Sequence, residues 1–376
     1  MGLTRTSAVV DLGQPHTEVL VEQTTHAFAF GNIGFDFVDP AVRDTALAKL
    51  WLDLYNTATL PFYWRDFEPT PGAPRTRPLR DAAQWFRDHG VAVKGHPLVW
   101  HTLAPPWLTG NVERQLRHRI QRDVSDFAGL IDTWDAINEV VIMPIFEAEQ
   151  NAITDLARVK GRVPMIQLAF NEARAANPHA TLLLNDFDLS SRYEDLIAET
   201  LAAGVTIDAL GLQTHMHQGY WGEDRMLAMV DRFARFNLPL HLTESTLLSG
   251  DLMPPEIIDL NDHVVDSWPS TDEGEARQAD EMVRHYRSLT SHPSVDAITY
   301  WGITDAGAWL SAPVGLIRAD GTPKRSYYAL HDLIKGEWWL PPTTMRTDAA
   351  GRVEVTGMPG SYRARIRDTT TAFTLA

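Results

Sequence analysis

TWDAINEVV, residues 133–141, is apolar at Trp134, Ala136, Ile137, Val140 and Val141, yet it carries Asp135, Asn138 and Glu139. The apolar residues read as a buried strand. A carboxylate buried without a partner is costly. Glu139 therefore sits at the mouth of a strand, facing a cleft, or the segment is not a strand at all.

The surrounding chain favours the first reading. Short apolar runs recur at 27–31, 59–64, 91–100, 130–138, 181–186, 207–215, 238–245 and 295–305, and each is followed by a segment of helical pattern. The runs are nearly continuous in apolar character, as expected of parallel strands buried on both faces. Breakers such as His89-Gly90 and Asn177-Pro178 end the helical segments. Eight strand–helix units predict the α/β class and closure into a (β/α)8 TIM barrel. A doubly wound open sheet is the alternative. No G-x-G-x-x-G or G-x-x-x-x-G-K-[ST] follows a strand, so neither a nucleotide nor another organic cofactor is called for.

The two ends of the chain differ from the middle. Residues 6–30 and 345–376 alternate polar and apolar between Gly and Pro turns, which predicts short β-strands outside the barrel. The expected organisation is an N-terminal β segment over 1–26, a catalytic barrel over 27–337 and a C-terminal β segment over 338–376. WWLPPTT, residues 338–344, reads as the link.

Composition narrows the function. The formal net charge is −16, which argues against nucleic acid as a partner and against an anionic membrane surface. An acidic balance is compatible with a neutral substrate. The absence of cysteine excludes thiolate catalysis, disulfides and cysteine zinc sites. There is no run of 18 apolar residues and no apolar signal-peptide core near the start, so a cytoplasmic location is expected, or a secreted one if the chain is trimmed. Nothing in the pattern specifies an oligomeric state. Twelve tryptophans are many. Most belong in packing, but indole faces also suit the C–H faces of sugar rings.

In barrels of this kind the C-terminal ends of the strands build the site. Read along the chain, those ends deliver Tyr63 and Trp64; His96, Trp100 and His101; Asn138 and Glu139; Asn185 and Asp186; Gln213, His215 and His217; Glu244; and Trp301, Asp305 and Trp309. Glu139 and Glu244 stand out as a carboxylate pair, the pair that glycosidic bond cleavage needs. Asn138 is suited to hold a sugar 2-hydroxyl.

GHPLVWH (95–101), WDAINE (134–139), LLNDFD (183–188), GLQTHMH (211–217), HLTES (241–245) and WGITDAGAW (301–309) together resemble, in order and spacing, the signatures of glycoside hydrolase family 10, best known for endo-β-1,4-xylanases. The resemblance spans roughly residues 27–335 and implies a carbohydrate substrate, hydrolysis with net retention and a covalent glycosyl-enzyme. By position it implies Glu139 as general acid/base and Glu244 as nucleophile. It further implies Asn138 on the 2-hydroxyl, His215 hydrogen-bonded to Glu244, Gln213 on the acid/base or the sugar, His96 and Trp100 lining the −1 subsite, and Trp301 and Trp309 as its aromatic wall. His101 is expected behind them.

One segment departs from the pattern. Family xylanases usually carry Glu-Asn-x-x-Lys-Trp after the second strand, where this chain reads TLPFYWRDFEP, residues 59–69. Thr59 and Leu60 replace the Glu-Asn pair and Tyr63 replaces the lysine. The −2 grip on xylose is lost, so another glycan or an exo-acting cleft is expected rather than ordinary xylan. The insert at 247–271 is long enough to wall off one end of the cleft. Two other classes compete: a metal-dependent hydrolase using His215, His217, His96 and His101, and a non-catalytic glycan-binding barrel. The H-x-H at 215–217 lies after the sixth strand with no bridging lysine or aspartate, which weighs against the first, and the intact glutamate pair weighs against the second; no metal is called for.

Overall fold

The computed structural model describes residues 2–376. The chain opens with two antiparallel-sheet strands, β1 (Thr6–Asp11) and β2 (Glu18–His26). The barrel strands follow: β3 (Ala29–Ile33), β4 (Thr57–Pro61), β5 (Ala92–His96), β6 (Thr133–Asn138), β7 (Thr181–Asp186), β8 (Ala209–Met216), β9 (Leu240–Leu247) and β10 (Val295–Tyr300). They close in the order β10-β3-β4-β5-β6-β7-β8-β9, every pair parallel. Helices Ala46–Leu54, Thr76–Asp88, Val112–Asp126, Arg162–Ala176, Ser191–Ala202, Glu223–Ala234 and Asp272–Thr290 make the successive crossovers.

Parallel strands flanked by helices have no wet face, and β7 shows the consequence: Leu182, Leu183, Leu184, Asn185 and Asp186 are all buried. Each fully buried Leu or Phe is worth about 1.5–3 kcal/mol. Trp134 packs between the strands and the end of helix Val112–Asp126, with Phe62 edge-on to it at 4.8 Å and Phe127 at 6.4 Å. Gly95 makes that possible, since a Cβ there would lie 2.2 Å from the Trp134 ring. The crossover helices start at side-chain caps where the sequence offers them. Thr45, Asn111, Ser190 and Thr271 each accept from a backbone N–H of the first turn.

Several expected strands overshoot. The run at 59–64 stops as a strand at Pro61, and Trp64 opens a short helix, Trp64–Phe67, with Tyr63 at its cap. The run at 295–305 leaves the barrel after Tyr300, where Gly302 takes a φ of +148° that other residues avoid. Ala29 and Phe30 belong to the barrel strand β3 and not to the outer β segment.

The chain ends in β11 (Thr343–Arg346), β12 (Arg352–Gly357), β13 (Gly360–Ile366) and β14 (Thr369–Leu375). β1 pairs with β12, and β2 lies between β11 and β13 in the order β11-β2-β13-β14. The N- and C-terminal strands thus fold on one another. They share a small core that includes Val10, Val21, Val355, Tyr362 and Ile366, distinct from the barrel's. Among the described residues no helix is long and apolar enough to cross a membrane.

Candidate active site

β6 ends at Asn138, and Glu139 follows with a left-handed φ of +56°. That conformation is uncommon for a residue with a side chain. It is held by the Glu139 N–H, which donates to the Asn185 carbonyl at 2.8 Å. The turn lifts the carboxyl out of the strand direction and onto the rim. Trp100 Nε1 donates to its Oε2 at 2.8 Å, while Asn138 Nδ2 and Gln213 Nε2 donate to its Oε1 at 3.1 and 3.3 Å. Burial, reinforced by the negative charge of Glu244, pushes the Glu139 carboxyl up to about 8.

Glu244, on β9, is 5 % exposed. The β8–β9 register sets Gln213 beside it. Asn185 Nδ2 donates to its Oε1 at 3.0 Å, His215 Nε2 lies 3.2 Å from its Oε2, and His96 Nδ1 lies 4.0 Å from Oε1. Burial works to raise this carboxyl, but the imidazoles of His96 and His215 outweigh it and hold it below the usual glutamate range. Two neighbouring carboxyls therefore sit in opposite states near neutral pH, one protonated and one ionised. Such a pair can donate a proton and attack at one bond.

Asn185 joins the two halves. Its Nδ2 also donates to Asn138 Oδ1 at 2.7 Å, and its Oδ1 accepts from Thr243 Oγ1 at 2.5 Å. Gln213 Nε2 donates to the same Asn138 oxygen at 3.1 Å. Gly211 leaves the room for this, because a Cβ there would lie 2.2 Å from Asn185 Oδ1. Gly211→Ala is expected to turn Asn185 away from Glu244 and to lower kcat by about tenfold or more, with the fold retained by circular dichroism. An unchanged kcat would show that the bridge is not needed.

Beneath the rim lies a polar cluster that the strand reading of Asp135 gave no reason to expect. Asp135 Oδ2 accepts from Lys94 Nζ at 2.8 Å and lies 2.7 Å from His96 Nδ1, all three groups being buried. Burial opposes ionisation of Asp135, yet the Lys94 ammonium and the His96 hydrogen bond hold its carboxyl below the usual range. Pattern alone misses this, since one lysine and one aspartate on two separate apolar runs become a pair only when β5 and β6 lie side by side. Asp186, another rim acid without an assigned role, accepts from the backbone N–H groups of Val141 and Asp188. Burial pushes it up to about 7.

The remaining expected residues gather on the same rim. Trp301 stands 5.1 Å from His96, and Trp309 stands 5.0 Å from His215. Tyr63 lies 5.5 Å from Trp100, and burial together with the charges of Glu244 and Glu139 raises its phenol well above the usual value. His101 is buried behind Trp100 against Phe146, and burial lowers it to about 4. Thr59 and Leu60 are fully buried in β4. Arg65 faces Glu149 at 3.8 Å. Among the described residues no three His, Asp or Glu side chains stand together as metal ligands; His96 is engaged by Asp135, and His215 by Glu244.

A family model described as glycosyl hydrolase family 10 matches residues 61–333. The anti-sigma-I factor RsgI6 of Acetivibrio thermocellus is 24 % identical over 357 residues, covering 91 % of this chain and 41 % of that protein. Endo-1,4-beta-xylanase C of Paenibacillus barcinonensis is 27 % identical over 59 % of this chain and 22 % of its own length. The chain thus spans less than half of either of these two relatives. Endo-1,4-beta-xylanase B of Thermotoga neapolitana is 24 % identical over 72 % of this chain and 78 % of its own. A solved GH10 structure from Paenibacillus barcinonensis shares the fold with a TM-score of 0.68 at 23 % identity, covering 82 % of this chain and 96 % of the other.

Proposed function

This chain belongs to glycosyl hydrolase family 10, and from that premise we propose that it is a retaining, xylanase-like β-glycosidase with a non-standard −2 subsite. The observation that carries the reading is the pair of buried carboxyls, Glu139 and Glu244, joined across the rim through Asn138, Asn185 and Gln213, with burial raising the first and imidazoles lowering the second. In the first step a Glu244 oxygen attacks the anomeric carbon, the glycosidic C–O bond breaks, and the Glu139 proton passes to the leaving oxygen. In the second step water attacks the same carbon, Glu139 takes a proton from it, and the Glu244 carboxylate leaves.

The other residues have roles that fit this cycle. Asn138 is suited to the 2-hydroxyl, with its side-chain oxygen already oriented by Asn185 and Gln213. His215 and His96 favour the ionised nucleophile. Trp301 and Trp309 supply apolar walls for the sugar. Loss of the Glu-Asn-Lys grip at Thr59, Leu60 and Tyr63 argues for a glycan other than unsubstituted xylan, because xylose hydroxyls that leave water there gain no hydrogen-bond partner in return.

Proton NMR of the first product tests the stereochemistry: the β-anomer is expected before mutarotation, and the α-anomer overturns double displacement. The pH profile tests the roles. With a poor leaving group, kcat/KM falls as pH rises through about 8, where Glu139 loses its proton. On the acid side it falls only as the depressed Glu244 carboxyl takes one up. Glu139→Gln is expected to remove the alkaline limb, while a dinitrophenyl leaving group, needing no proton, rescues much of its rate. An alkaline limb that survives in Glu139→Gln would assign it to another group.

A further inference from the structure

The rim on the nucleophile's side of the site is lined by rings without a break. Phe35, two residues beyond β3, stands edge-on to Tyr63 at 5.8 Å and edge-on to Trp301 at 5.6 Å. Tyr63 continues the row to Trp100 at 5.5 Å. On the far side of Trp301 the row passes through His215, 6.4 Å from Trp301 and 5.0 Å from Trp309, and His217 meets Trp309 edge-on at 5.3 Å. Behind Trp309 the insert at 247–271 is tied down. Met253 N–H donates to the His217 carbonyl, Gln218 Nε2 donates to the carbonyls of Pro254 and Ile257, and Trp268 packs in one cluster with Ala312 and Val314.

The strand order decides which end of the cleft this wall closes. In the closed order, β10 lies diametrically across from β6, the strand that carries Glu139. The leaving group departs on the acid's side, and the transferred sugar lies over the nucleophile, away from that side. The arc from β10 through β3 to β4 is therefore the glycone end. A second sugar there would have to take the space of the Phe35 ring. Its hydroxyls would give up water for a phenyl edge, beside a strand whose Thr59 and Leu60 are buried.

We propose that Phe35, wedged between Tyr63 and Trp301, closes the glycone end after one sugar, so that the enzyme removes single units from the non-reducing end of a β-linked chain. The proposal rests on the double-displacement reading above. It makes Phe35 a specificity-determining residue.

The test uses 2,4-dinitrophenyl 2-deoxy-2-fluoro-β-glycosides, as a monosaccharide and a disaccharide, in the xylo and gluco series. A Glu244 oxygen displaces dinitrophenolate from the anomeric carbon, and the glycosyl-enzyme that accumulates is read by intact mass. The wild-type protein is expected to gain one fluorosugar from a monosaccharide probe and, from a disaccharide probe, the same single-sugar mass once the outer unit has been trimmed, but not the disaccharide mass. Phe35→Ala is expected to gain the disaccharide mass, at least about tenfold faster than the wild type does. Phe35→Leu serves as a second, milder opening, and thermal melting checks both variants. An adduct of disaccharide mass on the wild type, formed as fast as the monosaccharide adduct, overturns the proposal while leaving double displacement intact. Failure of both variants to admit the disaccharide overturns the role of Phe35. Labelling by no probe, while the non-fluorinated dinitrophenyl β-glycoside of the same sugar is turned over, overturns the double-displacement reading and the proposal with it.

Discussion

Glu244→Ala is expected to lower turnover of a dinitrophenyl β-glycoside by about 10⁴-fold or more, and azide is expected to restore it with inverted product. The truncation removes the group that attacks the anomeric carbon and leaves a gap bounded by Asn185, His215 and His96, which all address the wild-type carboxylate. A small anion entering that gap attacks from the face Glu244 used. The product is then an α-glycosyl azide, formed in one displacement. Glu139→Ala behaves in the opposite sense. There the glycosyl-enzyme still forms from an activated substrate, and azide enters from the side where Trp100 and Gln213 held the acid. That route gives a β-glycosyl azide after two displacements. The two variants thus separate the roles by stereochemistry rather than by rate. A β-azide from Glu244→Ala would mean that the nucleophile lies elsewhere.

Asp135→Ala is expected to destabilise the protein by about 3–5 kcal/mol, because it strands the buried Lys94 ammonium without its counter-ion. Urea unfolding at neutral pH measures the loss, and a change under about 1 kcal/mol would show that Lys94 finds another partner. The depressed Asp135 carboxyl means its contribution is present above its unfolded-state value and is lost as pH falls through the folded one. A double replacement, Lys94→Met with Asp135→Leu, removes both charges and is expected to recover most of the stability, since well-packed apolar residues often replace a buried ion pair without loss. Activity is not expected to recover with it. His96 would have lost the carboxylate that lies 2.7 Å from its Nδ1 and sets its position near Glu244. Recovered activity in the stable double variant would show that Asp135 serves folding alone.

The barrel was legible because its cause is local. A strand buried on both faces must be apolar throughout, and the helix that covers it must carry an apolar stripe, so the eight alternations are written in each segment separately. Boundaries were less legible where a single backbone angle ends an element, as at Gly302 after β10, or where an aromatic run continues past the strand, as at Phe62–Trp64. Phe35 illustrates the other limit. A phenylalanine between two apolar runs reads as core, and nothing in its neighbours says that its ring meets Tyr63 and Trp301.

By itself the sequence determined the α/β class, the eight strand–helix alternations and the two glutamates that follow two of them, since periodicity and residue type are properties of short stretches. The tertiary structure alone decided that Lys94 pairs with Asp135 and that Asn185 bridges Asn138 and Glu244. Those facts depend on distances between strands far apart in the chain, and charge, burial and hydrogen bonding act through space.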